Sequence, residues 1–97
     1  MRVLDLGCGS GRELASWGIP ASDEVICLDI DTRRLTDATV QFPSRTYLRG
    51  AGEFLPFANE SFDRVISIVA LPYMNIKNTL AEIHRILVPG GGLSRAH

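Results

Sequence analysis

Cysteine is scarce in this 97-residue chain, which has only Cys8 and Cys27. Two thiols far apart in sequence fit neither a disulfide scaffold nor a metal-ligand cluster, so no metal is expected and a reducing cytoplasm is the expected compartment. Long apolar runs are missing too: none approaches the roughly 20 residues that span a bilayer. A first strand directly after Met1 leaves no room for a signal peptide, so a soluble protein with no membrane partner is expected. Charge of one sign is also lacking. Ten basic against eleven acidic residues give a formal net charge of -1, which provides no polycationic surface for nucleic acid or anionic lipid, and no nucleic acid partner is expected. Arg33 and Arg34, followed by Asp37, read as an ordinary solvated helix face. There is no internal repeat, low-complexity tract or linker, and too little chain for a second core, so residues 1–97 read as one domain.

What the chain does contain is Val3-Leu4-Asp5-Leu6-Gly7-Cys8-Gly9-Ser10-Gly11-Arg12, a short apolar strand, an acid, and glycine at every second position. Without Cβ, glycine lets the backbone turn sharply after a strand and lets a ligand come close to the unpaired N–H groups that open the next helix. Spacing narrows the ligand. Arg12 occupies the position of the third glycine in a G-x-G-x-x-G dinucleotide fingerprint, and no Gly-Lys-Ser/Thr phosphate loop occurs. A second apolar strand, Val25-Ile26-Cys27-Leu28-Asp29, ends in an acid at about the distance where such folds place a carboxylate for ribose hydroxyls.

The D-x-G-x-G-x-G segment resembles the class I S-adenosylmethionine-dependent methyltransferases, in particular the small-molecule group that includes quinone-biosynthesis C-methyltransferases. Two further blocks carry the resemblance. Gly50-Ala51-Gly52-Glu53-Phe54-Leu55-Pro56-Phe57, followed by Ser61-Phe62-Asp63-Arg64-Val65, is similar to the family's G-D-A-E-x-L-P-F and S-F-D-x-V. Glu82-Ile83-His84-Arg85-Ile86-Leu87-Val88-Pro89-Gly90-Gly91 is similar to E-x-x-R-V-L-K-P-G-G. The resemblance implies S-adenosyl-L-methionine as cofactor. Asp5 would organise the loop and the methionine end, with Gly7, Cys8, Gly9 and Gly11 forming the loop itself. Asp29 would take the ribose and Ile30 the adenine face, with Ala51, Gly52 and Glu53 along the adenine edge. Ile68 would meet the cofactor amine through its carbonyl. Ala51 departs from the family's usual Asp, so that hydrogen bond, worth on the order of 1 kcal/mol, is expected to be absent or supplied by the backbone near Gly52 or by Glu53.

Tyr73 is the candidate substrate contact. Ala70-Leu71-Pro72-Tyr73 stands where methyltransferases of nucleic-acid bases carry Asp/Asn-Pro-Pro-Tyr, and Ala70 cannot accept from a target amine. No catalytic base is identifiable; His84 reads as a solvated helical residue, and Phe54, Phe57 and Phe62 as core.

Strands are expected at about 2–6, 24–29, 46–49 and 62–69. Helices are expected at 11–17, from an N-cap at Thr32 to about Phe42, and along a stripe of Ile76, Leu80, Ile83 and Leu87. This alternation gives an α/β fold, a Rossmann-like doubly wound parallel sheet with its crevice beyond the carboxyl ends of strands one and four. Only the beginning of a fifth strand is expected, so the chain reads as a truncated, partial class I methyltransferase fold lacking the C-terminal β-hairpin. Its unfinished sheet edge invites a homodimer. Two functions are expected to compete: methyl transfer to carbon or oxygen of a small-molecule acceptor, and a catalytically inactive module acting as a cofactor-binding or protein-interaction domain.

Overall fold

The computed structural model describes residues 1–9, 18–20, 22–67 and 75–95. Five strands, β1 (Arg2–Leu6), β2 (Glu24–Asp29), β3 (Thr46–Arg49), β4 (Phe62–Ser67) and β5 (Leu87–Arg95), form one sheet. Helix α1 (Thr32–Gln41) joins β2 to β3, and α2 (Ile76–Ile86) precedes β5. Every neighbouring pair is parallel, in the order β3-β2-β1-β4-β5. The chain winds outward through β2 and β3 and returns to the other side of β1 with β4. The order therefore reverses between β1 and β4, and a ligand crevice opens at such a point beyond the carboxyl ends of the strands. This is the expected doubly wound architecture. The expected helix at 11–17 and residues 68–69 of the expected fourth strand lie outside the described residues.

Val3, Leu4 and Leu6 of β1 are all buried, because parallel strands at the centre of a sheet are covered on both faces, and Asp5 is the one carboxylate among them. On one face Leu4, Leu6, Ile26, Leu28 and Val65 pack with Ile83 and Ile86 of α2. On the other, Val3 meets Ile66, and Cys27 meets Leu35 of α1. Each of these large side chains, fully buried, contributes about 1.5–3 kcal/mol.

Three sequence expectations change. Asp31, not Thr32, caps α1: its carboxylate accepts from Arg33 N (2.9 Å) and Arg34 N (3.3 Å), the reach an N-cap needs. The buried stripe of α2 is Thr79, Ile83 and Ile86, while Ile76 and Leu80 are exposed. Leu87 has already left the helix and opens β5, so the apolar run continues as strand. The fifth strand is also more than a beginning. It pairs with β4 from Phe62↔Leu87 to Ser67↔Arg95, with a register shift between Phe62 and Arg64. Gly91 sits in that irregularity. A Cβ there would lie 2.8 Å from Asp63 O and 3.0 Å from Val88 O, so this close backbone approach requires glycine.

The two motif blocks far apart in sequence turn out to be one clamp. Arg85 donates to Leu55 O (2.9 Å), Phe57 O (2.7 Å), Asn59 Oδ1 (3.0 Å) and the Glu82 carboxylate (2.7 Å), while Glu82 accepts from Leu55 N (2.9 Å). The planar five-donor guanidinium suits this fan of acceptors, which a lysine could not reproduce. The clamp fixes the segment after β3 onto α2 and seats Phe57 edge-on against buried Phe62, with ring centroids 4.8 Å apart.

Candidate functional site

At the carboxyl end of β1 the chain turns through Gly7 (φ 71°) and Gly9 (φ 55°), both in the left-handed region that suits glycine. The turn is tied to β2. Gly7 N and Cys8 N both donate to Leu28 O, at 2.7 and 3.2 Å, and Gly9 N donates to Asp29 Oδ2 at 2.8 Å. The other Asp29 oxygen accepts from Asp31 N at 2.9 Å. Asp29 is therefore a brace between the glycine turn and the start of α1, and it is only 7% exposed. A carboxylate offers about four acceptor positions, so two remain beyond these bonds.

Next to Asp29, Ile30 is 64% exposed at the sheet edge. β3 runs alongside, Asp29 opposite Arg49, and Gly50 N donates to Asp29 O at 3.1 Å. The chain then turns, with Phe54 N donating to Ala51 O at 3.2 Å, which sets the 51–54 turn beside the end of β2. Gly52 is buried, Ala51 and Glu53 are half-buried, and Phe54 is 81% exposed. Phe54 is thus not core, contrary to expectation. The clamp anchors Leu55 and Phe57 and leaves the residue before them outside.

Sequence reasoning named twelve site residues. Asp5, Gly7, Cys8, Gly9, Asp29, Ile30, Ala51, Gly52 and Glu53 gather at the carboxyl ends of β1, β2 and β3. Gly11, Ile68 and Tyr73 lie outside the described residues. His84 is exposed on α2, as expected of a solvated histidine. It lines an open groove of about 640 Å³ with Asn59, Glu60 and Gly90, at the amino ends of β4 and β5 and so opposite the glycine turn.

Beneath the turn lies an arrangement that sequence spacing gave no sign of. β1 and β2 pair Asp5 with Cys27, and the turn returns Cys8 over them. One ligand atom from each of Asp5, Cys8 and Cys27 falls within 4.8 Å of the others, and all three residues are buried. The hydrogen bond with Cys27 pushes the Cys8 thiol far above its ordinary range, aided by burial and by the unfavourable electrostatics of its neighbours Cys27, Asp5 and Asp29. Tyr47, opposite Cys27 on β3, is pushed up to about 12, first by burial and then by Cys27. Its hydroxyl stays a donor, shared between Phe42 O (2.6 Å) and Ala38 O (3.1 Å) at the end of α1.

A parallel sheet of this order, with a glycine turn braced by an acid at the end of β2, is the Rossmann-like arrangement that binds nucleotide-containing cofactors. The family profile described as a methyltransferase domain matches residues 4–94, and the chain belongs to that family. It is 39% identical over 99 residues to a phthiotriol/phenolphthiotriol dimycocerosates methyltransferase of Mycobacterium leprae, covering 98% of this chain and 37% of that protein. It is 37% identical over 92 residues to a malonyl-[acyl-carrier protein] O-methyltransferase of Erwinia pyrifoliae, covering 94% and 35%. Among solved structures, an S-adenosylmethionine-dependent methyltransferase of Mesorhizobium loti superimposes with a TM-score of 0.83 at 30% identity, over 95% of this chain and 44% of that one. The chain thus spans less than half the length of each of these relatives. Among the described residues, no helix is long and apolar enough to cross a membrane.

Proposed function

We propose that residues 1–97 form the cofactor-binding domain of an S-adenosyl-L-methionine-dependent methyltransferase acting on carbon or oxygen of a small-molecule acceptor. The observation that carries this reading is the Gly7–Gly9 turn held at the end of β1, with the Asp29 carboxylate 2.8 Å from Gly9 N. The residues present fit the cofactor. Among the described residues a Cβ on Gly9 would meet nothing within 4 Å, so the turn faces open space that a ligand can fill. Asp29 keeps acceptor positions for two vicinal hydroxyls. Ile30, directly after Asp29, and Phe54, at the end of the turn that follows β3, are both exposed and would supply apolar surface to a flat purine.

In this reading Asp29 holds the ribose, and the backbone of Gly7, Cys8, Gly9 and Gly11 lies against the cofactor. Asp5 steadies the methionine end. Phe54 offsets what Ala51 cannot give, contributing stacking where a carboxylate would have accepted a hydrogen bond. Gly52 and Glu53 would line the adenine edge, and by resemblance to the family Ile68 would take the amine through its carbonyl and Tyr73 would contact the acceptor. When bound, the cofactor supplies an electrophilic methyl group on a sulfonium. The chain's own part is orientation, which can be worth roughly 7–11 kcal/mol without a dedicated nucleophile. The three relatives named above, all methyltransferases, give the inactive-module alternative no support.

Calorimetric titration with S-adenosylhomocysteine tests this. Saturable binding is expected, weakened at least tenfold by Asp29→Ala and about 2–10-fold by Phe54→Ala, the range of one aromatic contact. Absence of binding by a folded chain, or binding indifferent to both substitutions, refutes it.

A further inference from the structure

Neither cysteine is assigned chemistry of its own by the methyl-transfer reading, and the sheet places both beside Asp5. Cys27 comes from the middle of the β2 ladder, Asp5 is its partner on β1, and Cys8 comes from the turn. Three separate pieces of backbone therefore present two sulfurs and a carboxylate oxygen within 4.8 Å of one another, at relative exposures of 5%, 0% and 2% for Cys8, Cys27 and Asp5. The geometry points to a binding site for one soft d¹⁰ cation, such as Zn²⁺ or Cd²⁺, held by Cys8 Sγ, Cys27 Sγ and one Asp5 carboxylate oxygen beneath the glycine turn.

Softness and size both select this class. Thiolates favour zinc-like and softer ions over calcium or magnesium, which take oxygen ligands. Zinc–sulfur and zinc–oxygen bonds of about 2.3 and 2.0–2.2 Å put tetrahedral donors about 3.5–3.8 Å apart. A cluster within 4.8 Å reaches that spacing by a contraction of about 1 Å, within the range of side-chain rotation. On binding, the two thiol protons pass to solvent and two metal–sulfur bonds form; no electron changes hands. The cation would then join the turn to β2 from below, alongside the bonds from Gly7 N, Cys8 N and Gly9 N. A catalytic metal is not implied, since the three donors lie inside the fold.

The site does not depend on the methyltransferase reading, and its test contains no cofactor. The 97-residue protein, kept reduced by a non-thiol phosphine, is titrated with Cd²⁺ while thiolate-to-metal charge transfer is followed in the ultraviolet. The expected result is absorption that saturates at one Cd²⁺ per chain, disappears in Cys27→Ala, and requires at least tenfold more metal in Asp5→Asn. Cadmium-113 NMR of the unmutated protein gives a reading independent of how the variants fold. A resonance typical of two sulfur donors supports the site. A resonance typical of oxygen donors alone, or no charge-transfer band in the folded protein, overturns it.

Discussion

Removing the Asp29 carboxylate should destabilise the fold even with no ligand present. Each of its oxygens accepts one backbone N–H, from Gly9 at 2.8 Å and Asp31 at 2.9 Å. Hydrogen bonds to a charged group contribute about 1.5–3 kcal/mol each. Asp31 is exposed at the start of α1, where water replaces the lost acceptor, whereas the Gly9 bond closes onto a 7% exposed residue. Asp29→Ala is therefore expected to cost about 2–4 kcal/mol. That is a large share of the roughly 5–15 kcal/mol typical of a chain this long. Asp29→Asn keeps one acceptor but turns an NH₂ toward the second N–H, so it should fall about midway. Asp31→Ala is the control, removing the α1 cap for about 1 kcal/mol without touching the turn. Urea unfolding followed by far-ultraviolet circular dichroism gives the order wild type, Asp31→Ala, Asp29→Asn, Asp29→Ala by falling midpoint. An Asp29→Ala midpoint equal to wild type, or an asparagine variant less stable than the alanine one, would refute the bracing role.

Three further outcomes follow from the packing. Gly91→Ala should lower the thermal midpoint, by about 1–3 kcal/mol of overpacking against Asp63 O and Val88 O, whereas at Gly92 a Cβ meets nothing within 4 Å and alanine should be close to neutral. Equal midpoints for the two variants would contradict the close approach. Thr79→Val should leave stability unchanged or raise it by up to about 1 kcal/mol, because among the described residues the buried Thr79 hydroxyl has no hydrogen-bond partner; a clear loss in calorimetry would mean the hydroxyl is paired. The Arg85 hydrogen bond holds the Glu82 carboxyl below its ordinary value of 4.5, with a smaller contribution from Leu55 N. A lowered folded value means this stabilisation is complete above about pH 4.5 and lost as pH falls through the folded value. Glu82→Gln should then flatten the fall of urea midpoint with acid below pH 4.5, and an unchanged slope would count against the clamp.

Most of the sheet is legible because the buried parts of β1, β2 and β4 are written as short apolar stretches, Val3-Leu4, Val25–Leu28 and Val65-Ile66. β3 was found from its position between a proline-stopped helix and the glycine pair. The errors arise where a local signal and a tertiary contact compete. Thr32 and Asp31 are both good caps, and only the backbone path shows which one reaches the N–H groups. Ile76 and Leu80 have the right spacing for a buried stripe, but α2 is rotated so that Thr79 faces the core. β5 is longer than expected because Pro89 and Gly90 read as the end of a helix that leaves only Gly92–His97 for the strand, whereas the strand already opens at Leu87 and pairing resumes at Gly92 after the irregularity. Phe54 was read as core from its apolarity alone; nothing in the sequence showed that the Glu82–Arg85 clamp would pull in its neighbours and leave it outside. The acid–glycine turn and Asp29 were found because their chemistry is local. The Cys8–Cys27–Asp5 cluster was not, because strand pairing assembles it.

The measurement closest to the central claim is an amide NMR titration of the 97-residue protein with S-adenosylhomocysteine. Saturable shifts are expected at Gly7, Gly9, Asp29, Ile30, Gly52 and Phe54, with His84 and Gly90 at the opposite edge unmoved. Shifts centred on that opposite edge, or none in a folded protein, would contradict that claim.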